Sequence, residues 1–557
     1  MQACAGGPQR GARPHDPRRR GRPPPGGWTS HRNVATAGRA GPPFCAGARH
    51  APTYVATEVG TLLWPALVGD ALQAALDEVG PAVPGARTPL RALVGRLMFP
   101  GGLTAASRHA GAEPLLTGRS RPYDESTLRR HARTFAAAGG VAAVAAQVEA
   151  QVHRAVGPTG TCVAHTDLFD QVVYTKKPAH AGPIGALNNR LLAAVYFGLT
   201  CVRPEGGPVL AYHVSWHKPA SPLVEALQAL HAAPARHTWL TAHVRRHTWD
   251  RGGNGVAVLQ WACGQQIPYL TVANGRVYLS SQRGPTHQTV TGLPVFVRRE
   301  VRVVGRGGPV GGPRRIVFPT RAADGPACKH GLRFPTNARL TDAEIGALAT
   351  VYKARWPEME NQIKALVGVG FGVNRARRQV VTTSRGVDGQ LARLEARDQA
   401  LEREIDALCA SGEPATAAVD RKLEVRCRRQ AAVHAQQEDL RAQPCTKGVR
   451  QPTATEVLCK YLQLLLCNVL VLALARSAVA AVRTLTPALV RELLLGRSAL
   501  VCVEATVLTL WIDPVTDAHH AALQRELVRL FTEDVPLRLS GAKLVLRLRQ
   551  PLGTRRT

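Results

Sequence analysis

The sequence predicts an α/β protein whose centre is one mixed β-sheet, and three observations support this fold class. Four runs rich in β-branched and aromatic residues are typical of strands, and they lie at 161–167, 191–202, 208–217 and 267–274. Apolar residues recur at helical spacing between these runs, at 219–232 and 256–263. The hydrophobic fraction, 45% of 557 residues, is ordinary for a globular protein of about three to four domains.

The first 52 residues differ from the rest of the chain because they are rich in Gly, Pro and Arg, as in RRRGRPPPGG at 18–27. Such a composition cannot form a core, so we expect a disordered basic arm. Two interpretations stay open for this arm. The arm contacts DNA, or it is a leader without function. In the second case, the start of the protein could even be misassigned.

Residues 53–156 show helical patterning and are predicted to form a DNA-binding domain. Within them, the segment YDESTLRRHARTF at 123–135 begins with a helix cap at Asp124 or Ser126. A short capped helix with Arg129 and Arg130 near its start is similar to the recognition helix of a helix-turn-helix motif. We therefore expect these two arginines to contact DNA, although small basic helices without that role are common.

Two strands of the predicted sheet end in an acidic residue. The first strand, 161–167, ends in Asp167. A further short strand, RHTWD at 246–250, is the fourth in chain order, and it ends in Asp250 before the turn RGGNG. An RNase H-like sheet, in which the first and fourth strands are neighbours, accounts for the order of strands and helices. We assign 157–274 and 337–375 to this catalytic domain, and 275–336 to a β-hairpin insertion with a basic face.

A helix is predicted at 341–364, opened by a capping box of Thr341 and Glu344. One face of this helix carries a phenol, a guanidinium, a carboxylate and an ammonium. These belong to Tyr352, Arg355, Glu360 and Lys364. The alternative is a solvated face with an ion pair between Glu360 and Lys364.

In the predicted sheet, Asp167 and Asp250 would lie side by side, and the helix would bring Glu360 across them. Three converging carboxylates repel one another unless cations are bound, and hard oxygen ligands favour Mg²⁺ or Mn²⁺. Two such ions about 4 Å apart would activate a nucleophile and stabilise the leaving oxygen of a phosphoryl transfer. His165, next to this site, is either a neighbour of the metal or a buried strand histidine.

Three segments resemble the DDE-type transposases of bacterial insertion sequences, in the group with the Tyr-Arg-Glu-Lys signature. They are TDLFDQVVYTKKP at 166–178, TWDRGGNG at 248–255, and TNARLTDAEIGALATVYKARWPEMENQIKAL at 336–366. The resemblance implies that Asp167, Asp250 and Glu360 are catalytic. It also implies that Tyr352, Arg355 and Lys364 position DNA phosphates, and that the chain acts as a homodimer on element ends and target DNA.

Departures from the family pattern leave two alternatives open. The family often has Gly after the first Asp, whereas Leu168 follows Asp167, so Asp170 is a second candidate. The spacing from Arg355 to Glu360 is one residue longer than the commonest form, so Glu358 competes with Glu360.

Three more residues near the site are candidates for contacts to DNA. Lys176 and Lys177 either contact the DNA backbone or lie on the solvated surface. Arg251 either orients the Asp250 carboxylate or contacts a phosphate.

The remaining chain is predicted to form a helical hairpin at 376–455, turning at 411–414, and an α+β region at 456–557. An apolar run at 461–482 is interrupted by Gln463, Asn468 and Arg476, so we expect a buried core helix and no membrane span. The twelve cysteines include no CxxC pair, which favours reduced thiols in a cytoplasmic protein.

The net charge is +32, from 71 Lys and Arg against 39 Asp and Glu, and it favours a nucleic-acid partner. A compositional bias of the source genome is the alternative explanation for part of this charge.

Two other functions remain open. The first is a structure-selective nuclease on the same sheet, and the second is an inactive transposase relic that only binds DNA.

Overall fold

The structure of the protein is a computed structural model, and it describes most of the chain after residue 52. The described residues are 53–80, 83–99, 103, 106, 110–173, 182–183, 193–217, 223–250, 256–272, 278–288, 294–303, 314–318, 332–372, 378–382, 385–410, 417–442, 446–450, 453–504 and 506–549. The predicted basic arm, 1–52, lies outside these residues.

One mixed sheet forms the centre of the protein, which confirms the α/β fold class. Besides the two-residue strand β3 (Gly182–Pro183), its first five strands are β2 (Cys162–Val173), β4 (Ala193–Pro204), β5 (Leu210–His217), β6 (Val244–Trp249) and β7 (Tyr269–Leu270). They lie in the order β5–β4–β2–β6–β7. β4 is antiparallel to β2 and β5, while β6 is parallel to both β2 and β7. The predicted first and fourth strands are therefore neighbours.

Two strands differ most in length from their predictions. β2 does not end at Asp167 but continues to Val173, paired along its whole length with β4. β7 covers only two of the eight residues predicted at 267–274. Pro268, just before β7, has no N–H to donate to a neighbouring strand, which limits the ladder at this end.

The segment predicted as a β-hairpin insertion contains four strands that continue the same sheet. They are β8 (Tyr278–Gln288), β9 (Pro294–Val303), β10 (Arg314–Phe318) and β11 (Leu332–Thr336). β11 pairs with β7, and the antiparallel order then runs through β10 and β9 to β8. The predicted basic face lies outside the described side chains.

Helices cover the sheet and complete its core. The helix Leu223–His231 lies within the range predicted at 219–232, while Pro234–His243, which follows it, was not predicted. Val256–Gly264 follows β6, close to the prediction at 256–263. Pro234 begins the second of these helices, a position where its missing N–H costs no hydrogen bond. Trp249 on β6 is fully buried against this layer, together with Leu227 and Leu259.

The N-terminal and C-terminal parts of the described chain share one hydrophobic core. β1 (Thr53–Glu58) pairs antiparallel with β14 (Ser498–Val503), in a second sheet ordered β1–β14–β15–β17–β16. The other strands of this sheet are β15 (Val507–Ile512), β16 (Leu537–Leu539) and β17 (Ala542–Leu548). The segment predicted as an N-terminal helical domain therefore starts with a strand of the C-terminal sheet.

The helices of these two parts contribute to that core. The N-terminal helices are Val59–Leu67, Gly69–Val79, Arg87–Leu97, Glu113–Thr117, Glu125–Phe135 and Val141–Val156, with a π turn at Ala136–Gly140. The C-terminal ones are Ala480–Arg483, Pro487–Val490 and Ala518–Arg529, with π turns at Arg491–Leu495 and Leu530–Asp534.

The most apolar helix, Thr453–Leu474, is a core element. Of its most apolar window, 78% is buried inside the protein, which confirms the predicted core helix. Its polar residues bond to backbone: Asn468 exchanges two hydrogen bonds with Ala211, at 2.7 and 2.8 Å, and Gln463 donates to the carbonyl of Leu97 at 2.9 Å.

Length and composition alone would allow two helical segments of the described chain to cross a membrane, Glu125–Val156 and Ala454–Leu474. The bent pair Val59–Leu67 and Gly69–Val79 would be a third.

Two long helices, Arg385–Ala410 and Ala417–Ala442, lie side by side where a helical hairpin was predicted. The strand before the first helix, β12 (Arg378–Thr382), and the strand after the second, β13 (Thr446–Arg450), pair antiparallel. Asp398 of the first helix is the acceptor for Gln430 and His434 of the opposite helix. The predicted turn at 411–414 lies outside the described residues.

Candidate active site

The register of two parallel strands brings the two predicted aspartates together. β2 pairs with β6 up to Thr166 and Trp249, so Asp167 and Asp250 are the next residue on each strand. Only the pairing with β6 ends before Asp167, because β2 itself continues to Val173. The side chain of Asp167 is 23% exposed and that of Asp250 is 53% exposed. The side chain of Asp170, the alternative candidate, lies outside the described residues.

The single helix predicted at 341–364 is divided into four pieces. They are Asp342–Gly346, Leu348–Lys353, a π turn at Trp356–Glu360, and Asn361–Gly368. The predicted capping box is confirmed: the amide of Glu344 donates to Thr341 Oγ1 at 3.2 Å, and the amide of Thr341 donates to Glu344 Oε2 at 3.0 Å.

The π turn explains how Glu360 reaches the site despite its spacing from Arg355. Residues five apart in an α-helix point in different directions, whereas a π turn closes its hydrogen bonds over five residues. The turn therefore places Glu360 close to the side of Arg355. π turns of this kind occur often at functional sites.

All three predicted acidic residues contact one guanidinium, that of Arg355. Arg355 Nη1 lies 3.2 Å from Asp167 Oδ2, and Nη2 lies 3.5 Å from Asp250 Oδ1 and 3.7 Å from Glu360 Oε1. The side chain of Arg355 is only 4% exposed, while that of Glu360 is 22% exposed. Three carboxylates from distant parts of the sequence thus surround one buried cation and stay accessible to solvent.

The surroundings of Asp167 raise its pKa above the ordinary value for aspartate. Burial is the main cause, and the neighbouring Asp250 adds to it. Arg355 and the amide of Leu168, which donates to Asp167 Oδ1 at 2.9 Å, act in the opposite direction. The positive charge of Arg355 therefore compensates only part of the cost of holding this carboxylate in the protein.

Tyr352 supports Arg355 from one side. Its hydroxyl donates to the carbonyl of Trp249 at 3.3 Å, and the guanidinium carbon of Arg355 lies 5.8 Å from its ring centre. Burial raises the pKa of Tyr352, so the phenol stays protonated at neutral pH. Lys364 is exposed, and among the ion pairs of the described residues Glu360 contacts Arg355 and not Lys364.

Glu358, the alternative to Glu360, has other partners. Its Oε2 lies 2.7 Å from Nε2 of His165, and its Oε1 pairs with Arg203. His165 is a buried strand histidine whose Nδ1 also contacts the hydroxyl of Thr248. Burial lowers the pKa of His165, so the neutral ring donates from Nε2 to Glu358 and accepts from Thr248 at Nδ1.

The pKa of Glu358 is lowered by this arrangement. Burial alone would raise it, but the hydrogen bonds from His165 and Arg203 and the positive charge of Arg203 outweigh burial. Glu358 therefore ties the π turn to β2, beside the carboxylate cluster. The sequence did not predict this contact, because nothing in a local pattern joins residues 165 and 358.

The helix Glu125–Phe135 is capped by Asp124, which accepts from the amide of Thr127 at 2.7 Å, and Ser126 is not the cap. Arg129 forms an ion pair with Glu125, and Arg130 is exposed. The helix buries Leu128, Ala132 and Phe135 on its other side. The three remaining candidates for DNA contacts, Lys176, Lys177 and Arg251, lie outside the described residues.

No protein-family model matches the sequence, and no curated protein matches it significantly.

Proposed function

We propose that this chain is a DDE-type DNA transposase, which cuts DNA at the ends of its element and joins the freed 3′-hydroxyls to target DNA. The observation that carries the proposal is the convergence of Asp167, Asp250 and Glu360 on the guanidinium of Arg355. These acids come from two strands and a helix that are far apart in sequence, so their meeting is a property of the fold.

The order β5–β4–β2–β6–β7, with β6 parallel to β2, also supports the proposal. This is the order expected of an RNase H-like sheet, and we propose that finer fold assignment on the same basis. In such a sheet, the acids lie where the pairing of β2 with β6 ends, which is where a DNA strand would reach them.

The chemistry of the three carboxylates fits Mg²⁺ or Mn²⁺, because hard cations prefer oxygen ligands. Asp167, Asp250 and Glu360 would hold the ions. When bound, such ions activate an attacking hydroxyl and stabilise the leaving oxygen of the phosphodiester. As the side chains stand, no group of three acidic, His or Cys residues in the described part of the chain is arranged to hold one ion.

The protein's own residues would bind and orient the DNA. Arg355 and the exposed Lys364 offer cationic groups for phosphate oxygens, and the Tyr352 hydroxyl fixes the end of β6. The excess of positive charge supplies affinity that does not depend on sequence and falls with added salt. We further propose that the chain binds DNA ends as a homodimer.

A cleavage and joining assay tests this function. The substrate is a plasmid carrying the coding region with its genomic flanks, incubated with protein, Mg²⁺ and a second target plasmid. We expect breaks at the element ends and joined products with the wild-type protein. Asp250→Asn should give neither product while still binding DNA. The matched control is Asp77→Asn, an exposed carboxylate on the helix Gly69–Val79, which should act like the wild type.

Other results would identify a different function. Cleavage without joining would indicate a nuclease on the same sheet. DNA binding without any cleavage by the wild-type protein would indicate an inactive relic. Full activity of Asp250→Asn would remove this carboxylate from the site and contradict the proposal.

A further inference from the structure

We infer that Arg355 is an internal counter-ion of the metal site, occupying the three carboxylates before metal ions bind and leaving them when ions arrive. The inference rests on the proposed function, because it concerns the regulation of the same site. It assigns to Arg355 a role before DNA cleavage that is separate from any contact with phosphate.

The contacts of Arg355 show how much of the site one guanidinium occupies. Both of its Nη atoms are engaged, and they face Asp167 Oδ2, Asp250 Oδ1 and Glu360 Oε1 within 3.7 Å. Arg355 is almost completely buried, so water screens this charge little. The guanidinium thus reduces the repulsion that would otherwise separate three carboxylates in a partly buried cluster.

The same oxygen atoms cannot point at the guanidinium and coordinate a metal ion at one time. In agreement with this, no three ligand residues of the described chain are arranged around a common ion position. Metal binding therefore requires the carboxylates to turn away from Arg355, or Arg355 to move away from them. Two cations close together also repel each other, so binding of either weakens binding of the other.

A displaced Arg355 has an adjacent surface on which to rest. In its present position the guanidinium carbon already lies 5.8 Å from the centre of the Tyr352 ring, within the range of a cation–π contact. From there the two-pronged guanidinium could bind the oxygens of a phosphate. Loading with metal would therefore release a cationic group for DNA at the moment when the site becomes competent for cleavage.

Titration with Mn²⁺ in the absence of DNA tests this inference, with calorimetry for affinity and thermal unfolding for stability. The proteins are the full-length wild type, Arg355→Gln and Arg355→Lys. Arg245→Gln is the matched control. Arg245 pairs with Glu344 at 3.0 Å and takes no part in the carboxylate cluster. Arg355→Gln keeps a polar, hydrogen-bonding side chain, which is shorter, and removes the charge.

We expect Arg355→Gln to bind Mn²⁺ about tenfold more tightly than the wild type, because a competing charge is gone. Without metal it should melt at a lower temperature, and Mn²⁺ should restore most of this loss. Arg355→Lys keeps a charge that reaches fewer carboxylates, so its affinity should lie in between. It also provides the test if Arg355→Gln does not fold. Arg245→Gln should bind Mn²⁺ like the wild type.

The possible failures are distinguishable. Equal or weaker Mn²⁺ binding by the Arg355 variants would overturn the inference, since Arg355 would then not compete with metal, while the proposed metal site would stand. Absence of Mn²⁺ binding to both the wild type and Arg355→Gln would remove the metal site itself, and the proposed function would fail together with the inference.

Discussion

Two buried arginines, Arg96 and Arg355, lie in opposite kinds of surroundings. Arg96 pairs with Glu113, and both side chains are about 1% exposed. The Tyr123 backbone completes this pair, since its carbonyl accepts from Arg96 and its amide donates to Glu113. Arg355 instead faces three carboxylates, which are 22%, 23% and 53% exposed.

The difference separates a structural charge from a functional one. The Arg96–Glu113 pair is closed to solvent, and it fixes the chain just before the helix Glu125–Phe135. The Arg355 cluster has more negative than positive groups and opens to solvent, so it retains attraction for further cations. An excess of negative charge that is open to solvent is what a site for metal cations requires.

The largest effect on stability is expected at the closed pair. Glu113→Gln leaves the buried charge of Arg96 without its carboxylate, so the free energy of unfolding should fall by about 3–5 kcal/mol. Urea unfolding measures this change. As a control, Glu533→Gln removes an exposed partner of Arg529 and should cost less than about 1 kcal/mol. Similar small losses at both positions would contradict the comparison.

At the open cluster, the effect should fall on activity and not on stability. Glu360→Gln removes one of three carboxylates that are partly exposed, so DNA cleavage should fall at least about a hundredfold. The melting temperature should stay close to that of the wild type. Cleavage rates and thermal unfolding of the same preparation check both parts. A large loss of stability with normal cleavage would make the cluster structural.

Glu358 should show an intermediate behaviour, because it ties the π turn to His165 without contacting Arg355. Glu358→Ala should lower the free energy of unfolding by about 1–3 kcal/mol, since it leaves buried hydrogen-bonding groups unsatisfied. It should also lower kcat for cleavage more than it weakens DNA binding. Glu358→Gln keeps one hydrogen bond and should recover part of both losses. Complete loss of activity in Glu358→Gln would instead make Glu358 a member of the catalytic set.

Acid should have a smaller effect on stability, through His231 at the end of the helix Leu223–His231. Burial and then the nearby charges of His237 and Arg236 lower the pKa of His231 to about 4. The folded protein keeps this ring neutral while the unfolded chain binds a proton below about pH 6.5. Stability should therefore fall as the pH decreases from about 6.5 to about 4, by roughly 1–2 kcal/mol for this group.

The difference between the wild type and His231→Gln isolates this contribution. Unfolding free energies of the two proteins should differ in their pH dependence between about pH 4 and 6.5. Parallel curves would show that His231 does not titrate differently in the folded and unfolded chains.

Much of the central sheet was predictable from the sequence, because alternating and β-branched runs mark strands locally. The neighbouring positions of Asp167 and Asp250 followed from the order of these strands. The strand β1 was not predicted, since its partner β14 lies over 400 residues away and no local pattern specifies a pairing at that distance. The same limit applies to the contact of His165 with Glu358.

The π turn marks the limit of predictions from helical spacing. The predicted α-helix placed Arg355 and Glu360 on one face, but straight α-helical geometry separates residues five apart around the helix axis, and the π turn is what brings them together. A signal was present in the sequence, because Pro357 cannot donate a backbone hydrogen bond and disturbs the helix around it. The role of Arg355 could not be read from the sequence, since it depends on three carboxylates meeting in space.

The central claim is that Asp167, Asp250 and Glu360 form one site for divalent metal ions. The most direct measurement is an anomalous difference map from crystals of the protein grown with Mn²⁺. We predict manganese peaks coordinated by oxygens of all three carboxylates, with the Arg355 guanidinium moved out of the cluster. Manganese bound elsewhere, or no peak while Arg355 still contacts the three carboxylates, would contradict the account.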